Sequence, residues 1–179
     1  MTSVDVASLI LRLAVGGTIM AHGWNHAFRG GRLPGTARWF ESIGIRPGRV
    51  HALFATVTEL GAGALLILGL LTPLAAAGVV GTMLVALVAN HLKNGFFIFR
   101  PGEGYEYVLM IALVASALGA LGAGGWSLDR AIGFHVVGWG GLALAAGAGT
   151  AGAAALLVTS WRPQSVASTA SNSTVVKSA

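Results

Sequence analysis

The chain has 179 residues, of which 55% are hydrophobic and 9% are charged, and its mean hydropathy is +0.76. A soluble domain is about 25% charged, so this composition predicts an integral membrane protein formed by one helical bundle. The absence of cysteine excludes disulfides, thiolate chemistry, iron–sulfur ligation and covalent c-type haem. The net charge of +5 favours the lipid bilayer over nucleic acid as the anionic partner, because the arginines lie in loops beside the hydrophobic stretches.

Five hydrophobic stretches approach or exceed the roughly 20 apolar residues that a membrane-spanning helix needs. We expect an all-α membrane protein, a four-helix transmembrane bundle plus a fifth transmembrane helix, with spans at about 4–23, 51–72, 74–93, 105–124 and 131–161. The first stretch lacks a basic leader and contains an arginine, so we expect it to be retained rather than cleaved as a signal peptide. A single transmembrane domain over 1–161 would then precede a disordered, Ser/Thr-rich tail over 162–179.

The loop at about 24–50 contains five arginines interleaved with Trp39, Phe40 and Ile43. Segment 36–44 is open to two interpretations, an interfacial amphipathic helix or topogenic charge beside an aromatic belt. With five spans, nine of the eleven Lys and Arg residues lie on one side of the membrane. This asymmetry predicts a bacterial inner-membrane protein with its N-terminus outside and its C-terminus in the cytoplasm.

Several residues mark turns and helix ends between the later spans. Thr72 is a candidate N-cap and Pro73 a first helical residue after a tight hairpin, while Ser127 is a candidate cap for the fifth helix. That helix has small residues at Gly147, Gly149, Ala151 and Ala153. They favour close packing against a neighbouring helix or another copy of the chain, although a generic lipid-facing helix has the same composition.

Ionisable side chains within the spans are candidate functional residues, because a charge in hydrocarbon is costly. Arg12 precedes His22 by ten residues and Glu59 follows His51 by eight, which places the two charges about 15 Å and about 12 Å into the membrane at the helical rise. We therefore expect an Arg12–Glu59 ion pair between the first two spans. Such a pair either fixes helix register or belongs to a binding site.

Other polar residues lie near the same predicted membrane surface. His22 and His26 share a helix face if the first helix continues as far as His26, Asn90 and His91 end the third span, and Glu106 begins the fourth. Together they could bind a metal, ligate haem or hydrogen-bond a quinone, but no metal or haem motif is present. The predicted ligand or ion-pair site is Arg12, His22, Glu59, Asn90, His91 and Glu106, with no catalytic residue and no metal ligand.

Short motifs in order along residues 8–130 resemble the DoxX family of small bacterial membrane proteins. They are Arg12 in span one, His22-Gly23, Leu33-Pro34-Gly35, Phe40 with Gly44-Ile45, Glu59-Leu60-Gly61, the run Leu65 to Thr72, Glu106, and Gly124 to Asp129. The resemblance implies a four-helix membrane bundle associated with redox enzymes. The family is named after a small subunit of an archaeal thiosulfate:quinone oxidoreductase, and mycobacterial members are linked to a complex with a superoxide dismutase and a sulfurtransferase.

Carried over residue by residue, the family-like polar groups are Arg12, His22, Glu59 and Glu106, with Ser127 and Asp129 in a structural turn. The chain departs from the family at Asn25-His26, where a basic residue is common, and in its fifth span and tail. We expect an accessory membrane subunit of a redox complex, not catalytic alone, that binds a quinone-like lipid and has membrane or peripheral redox partners. The rival hypotheses are a pure assembly scaffold and a small proton-linked transporter or channel.

Overall fold

The computed structural model describes residues 2–163, and the predicted tail at 162–179 lies almost entirely outside this range. The fold within the described range is all-α apart from one isolated bridge between Ile45 and Trp161. Its helices are α1 (Ser3–Phe28), α2 (Arg32–Ser42), α3 (Gly48–Leu68), α4 (Thr72–Asn94), α5 (Glu106–Leu121), α6 (Leu128–Ile132) and α7 (Gly138–Ser160).

Four of the helices in the described range, α1, α3, α4 and α7, are long and apolar enough to cross a membrane. The fifth apolar helix, α5, has 16 residues and reaches about 24 Å at 1.5 Å per residue. The all-α membrane fold expected from the sequence is therefore confirmed.

The last two helices differ from the expected single fifth span. Ser127 caps the short α6, where its Oγ accepts a hydrogen bond from the Arg130 amide at 3.2 Å. Gly133 then ends α6 in the left-handed conformation, with φ of +73°. Because left-handed backbone stops a helix, the long helix begins only at Gly138.

The N-terminus of α4 is capped by Asp129, a residue distant in the sequence. Thr72 does not cap it, because Thr72 is the first residue of the helix. The Asp129 carboxylate accepts hydrogen bonds from the amides of Leu71, at 2.6 Å, and Thr72, at 3.0 Å. A carboxylate at a helix N-terminus satisfies free N–H groups and complements the helix dipole. The prediction that Thr72 caps the helix was wrong because a carboxylate distant in sequence performs that task.

Helix α4 lies at the centre of the bundle and packs against α3, α5 and α7. Small residues permit the close approach of α7: a Cβ atom on Gly149 would collide with Val80, and one on Gly141 would collide with the Gly119 carbonyl. Of the four small residues named from the sequence, Gly149 and Ala153 pack inside the chain, whereas Gly147 and Ala151 are exposed. Helices α3 and α7 make almost no contact with each other, so a groove remains between them over α4.

The end of α7 is fixed to the loop that follows α2. The Trp161 indole N–H donates to the Ile43 carbonyl at 3.0 Å, and the Arg162 amide donates to the Gly44 carbonyl at 2.7 Å. The ends of α1, α4 and α7 and the starts of α3 and α5 consequently meet at one end of the bundle. We call this the basic end, because it contains the arginine-rich 24–50 loop.

Candidate functional site

Arg12 does not pair with Glu59, so the predicted ion pair is wrong. Its side chain is fully buried and donates to the carbonyls of Leu66 and Ile67, each at 3.2 Å, and Trp126, at 2.6 Å. The first two carbonyls lie in the last turn of α3, where the helix dipole favours a cation. Arg12 therefore joins α1, α3 and the loop before α6 at the end of the bundle opposite the basic end.

The error arose from the length of α1. The helix continues to Phe28, so His22 lies inside it and does not mark its end. Arg12 is consequently farther from the basic end than predicted, and it lies near the opposite end of the bundle. Ser8 and Asp5 on the same face also bind the 122–126 loop, through the Gly122 carbonyl at 2.7 Å and the Gly125 amide at 2.7 Å.

A cavity of about 940 Å³ lies at the basic end of the bundle. Side chains from α1 to α5 and α7 line it, and most of them are apolar. Four of the predicted site residues lie on its wall, namely His22, Glu59, Asn90 and His91, whereas Arg12 and Glu106 do not. The cavity also has polar groups that the predicted site omitted: His26, His51, Thr58, Thr82, Glu103 and Tyr107.

Glu59 is the most buried charged group on the cavity wall, with 3% of its surface exposed. Its Oε2 lies 3.1 Å from Nδ1 of His26. Neither atom has a hydrogen bond of good geometry within the described part of the chain, and the same is true of the buried Nδ1 of His51. Burying polar groups without hydrogen bonds is costly, so these atoms are suited to a polar ligand group.

A second polar cluster forms the mouth of the cavity beside the α4–α5 loop. His91 Nδ1 lies 2.9 Å from the Glu103 carbonyl, and His91 Nε2 lies 3.3 Å from Nδ2 of Asn90. Since a backbone carbonyl only accepts hydrogen bonds, His91 donates to Glu103 through Nδ1. His91 is thus held in one orientation by its neighbours.

Glu106 lies outside the cavity wall at the first residue of α5. Its Oε2 accepts a hydrogen bond from the Ile98 amide at 3.2 Å. The carboxylate therefore fixes the aromatic loop between α4 and α5. Glu103, three residues earlier, occupies the place at the cavity mouth that was predicted for Glu106.

The cavity has the composition of a site for an amphipathic molecule. Small-molecule sites are mostly apolar, with a few polar groups that orient the ligand. Within residues 2–163, no group of three His, Asp or Glu side chains is arranged to hold a metal ion. The polar atoms of His26, His51 and Glu59 instead offer hydrogen bonds to a hydroxyl or carbonyl headgroup.

Two of the missed features had signals in the sequence. His26 follows His22 by one helical turn, and His51 begins the span that contains Glu59. The contribution of α7 had no such signal, because Gly149, Gly152 and Ala153 carry no polar group. Their place on the cavity wall follows from the position of α7 against α4.

The fold and the cavity together define a small, multi-pass, all-α membrane protein. The DoxX family model matches residues 7–92, so the resemblance predicted from the sequence is confirmed over α1 to α4. Residues 93–130, which carry further motifs of the resemblance, lie beyond this match. Neither the curated proteins nor the solved structures include a match to the chain.

Proposed function

We propose that the protein is an accessory subunit of a membrane-associated redox complex and that its cavity binds a quinone-like lipid. The buried Glu59 carboxylate on the wall of an apolar cavity carries this proposal. Glu59 and the histidines His26 and His51 provide acceptors and donors for the hydroxyl or carbonyl of a quinone headgroup. The apolar remainder of the wall accommodates the ring and its hydrocarbon tail.

The proposed setting is the inner membrane of a bacterium, with the cavity near the cytoplasmic surface. The five arginines of the 24–50 loop support this orientation, since positive loops remain in the cytoplasm. The same basic surface favours a membrane or peripheral redox protein with an acidic face as the partner. The chain has no cysteine, so electrons would enter and leave through the bound lipid and that partner.

Purification of the tagged full chain from its native membranes tests both parts of the proposal. We expect quinone in the lipid extract and a redox protein in the eluate by mass spectrometry. Loss of a hydrogen bond to a charged group weakens binding by about tenfold or more, so Glu59→Gln should bind quinone at least about tenfold more weakly and retain less of it than the wild type.

Asp5→Asn is the matched control, because this carboxylate lies at the opposite end of the bundle and off the cavity wall, and it should retain quinone as the wild type does. Equal quinone recovery from both variants would contradict the binding site. A redox partner without quinone would favour the pure scaffold. The transporter or channel hypothesis depended on a pair of charges near the middle of the membrane. Arg12 and Glu59 do not form such a pair, because each has other partners.

A further inference from the structure

One side of the cavity continues into the groove between α3 and α7. The groove has α4 as its floor, where Gly78, Gly81 and Thr82 lie on the cavity wall. Val50 and Phe54 form its α3 edge, and both side chains are 60% exposed. These helices are long and apolar enough to cross a membrane, so the groove faces hydrocarbon.

The α7 edge of the groove consists mainly of small residues, and Leu156 is the one larger α7 side chain on the cavity wall. Ala148 and Gly152 lie on the cavity wall and are exposed. A Cβ atom at Gly152 would meet no heavy atom within 4 Å outside its own helix segment. Helix packing therefore does not require a glycine here, unlike Gly149, whose Cβ would collide with Val80.

A groove of this kind within hydrocarbon is filled by a hydrocarbon chain. An empty groove would forfeit dispersion contacts along its walls, and water has few polar partners there. The end of the groove is closed by the contact of Trp161 with Ile43. Since the groove residues and Glu59 line one continuous cavity, a chain in the groove leads towards Glu59.

We propose that the groove holds the hydrocarbon tail of the same lipid whose headgroup binds at Glu59, and that Gly152 keeps the groove open for it. This inference rests on the proposed function and adds the orientation of the ligand and its entry from the side, between α3 and α7. Gly152 is then a specificity-determining residue for tailed ligands. It lies outside the part of the chain that matches the DoxX family model.

The test compares two quinone probes with the same headgroup, one without a tail and one with a ten-carbon tail. The full chain is placed in phosphatidylcholine nanodiscs, and binding is followed by quenching of tryptophan fluorescence, since Trp39 lies on the cavity wall. Filling a site with extra methylenes costs about tenfold or more in affinity. Gly152→Leu should therefore weaken the tailed probe by about tenfold and change the tail-less probe by less than about twofold.

Gly61→Leu is the matched control, because Gly61 is also exposed, helical and free of neighbours within 4 Å, but lies off the cavity wall. It should bind both probes as the wild type does. Partition of the probe into the bilayer cancels when variants are compared in the same nanodiscs. Ala148→Leu serves as a second groove variant if Gly152→Leu does not fold, and it should show the same selective loss.

Three results would overturn the inference. If folded Gly152→Leu and Ala148→Leu bind the tailed probe as the wild type does, bilayer lipid fills the groove and the proposed function still stands. If Gly152→Leu weakens both probes equally, Gly152 shapes the headgroup site and not the tail groove. If the wild type binds neither probe, the proposed function itself is wrong.

Discussion

Arg12 and Glu59 are both buried, but their surroundings differ. The Arg12 guanidinium donates to three backbone carbonyls, whereas Oε2 of Glu59 has no well-formed hydrogen bond within the described residues. A polar group that is satisfied by backbone stabilises the fold, and one that is left unsatisfied is costly unless something else binds it. Arg12 is therefore a structural residue, and Glu59 is the residue that we propose binds the ligand.

Removing the Arg12 guanidinium should destabilise the bundle without altering the cavity. Arg12→Met deletes hydrogen bonds that are worth about 1.5–3 kcal/mol each when the donor is charged. Loss of the buried charge offsets part of this cost, so we expect a net destabilisation of about 2–4 kcal/mol. Thermal unfolding in detergent, followed by circular dichroism, measures it.

Arg130→Met is the control for Arg12→Met, because the Arg130 side chain is exposed and, among the described residues, Arg130 makes hydrogen bonds only through its backbone. It should unfold as the wild type does. An Arg12→Met protein with unchanged stability and lost quinone binding would place Arg12 in the ligand site and contradict the structural role.

At the scale of helices, the cap on α4 is the contact that fixes the α3–α4 hairpin to α6. Asp129 satisfies the amides of Leu71 and Thr72, and its own amide donates to the Gly69 carbonyl at 2.8 Å. Loss of an N-cap costs about 0.5–2 kcal/mol. Asp129→Ala should therefore lower the unfolding free energy by about 2 kcal/mol, as measured by thermal unfolding.

Asp129→Asn is the conservative variant for this cap. Its amide oxygen can still accept a hydrogen bond from one of the two N–H groups, so it should recover about half of the lost stability. Equal stability of the alanine variant and the wild type would show that the hairpin does not depend on Asp129.

The sequence predicted the existence of the helices better than their ends. Hydropathy identified every apolar helix, because each needs a long uncharged run. The end of α1 was missed because Trp24, Asn25 and His26 are compatible with either a helix or a loop. The cap on α4 was missed because Asp129 lies more than 50 residues away in the sequence. Caps are predicted from the residues next to a helix, and these do not indicate such a distant contact.

At the scale of the whole molecule, the path of the chain places Ser42 and Ala131 at opposite ends of the bundle. The absence of cysteine permits single-cysteine labelling in intact cells. We expect a membrane-impermeant maleimide to label Ala131→Cys in intact cells and Ser42→Cys only after the membrane is opened. The reverse pattern would contradict the orientation given by the positive loops, and both residues are exposed.

The candidate site was predicted only in part, for a reason that applies to the whole bundle. Its polar members His22, Glu59 and His91 were found because polar residues are rare in such a chain. Their grouping into one cavity, and the exclusion of Arg12, depend on helix lengths and on which helices pack together. The α7 side of the cavity wall depends on the same packing. Gly152 has no side chain, so the sequence alone does not indicate that it lies on the wall.

Photolabelling with a quinone that carries a photoreactive group tests most directly whether the cavity is the ligand site. The full chain in nanodiscs is irradiated, digested and mapped by mass spectrometry. We predict adducts on the cavity-lining parts of α1 and α3 near His26 and Glu59, competed by unlabelled quinone and reduced about tenfold in Glu59→Gln but not in Asp5→Asn. Adducts confined to the opposite end, around Arg12 and Trp126, would contradict the assignment.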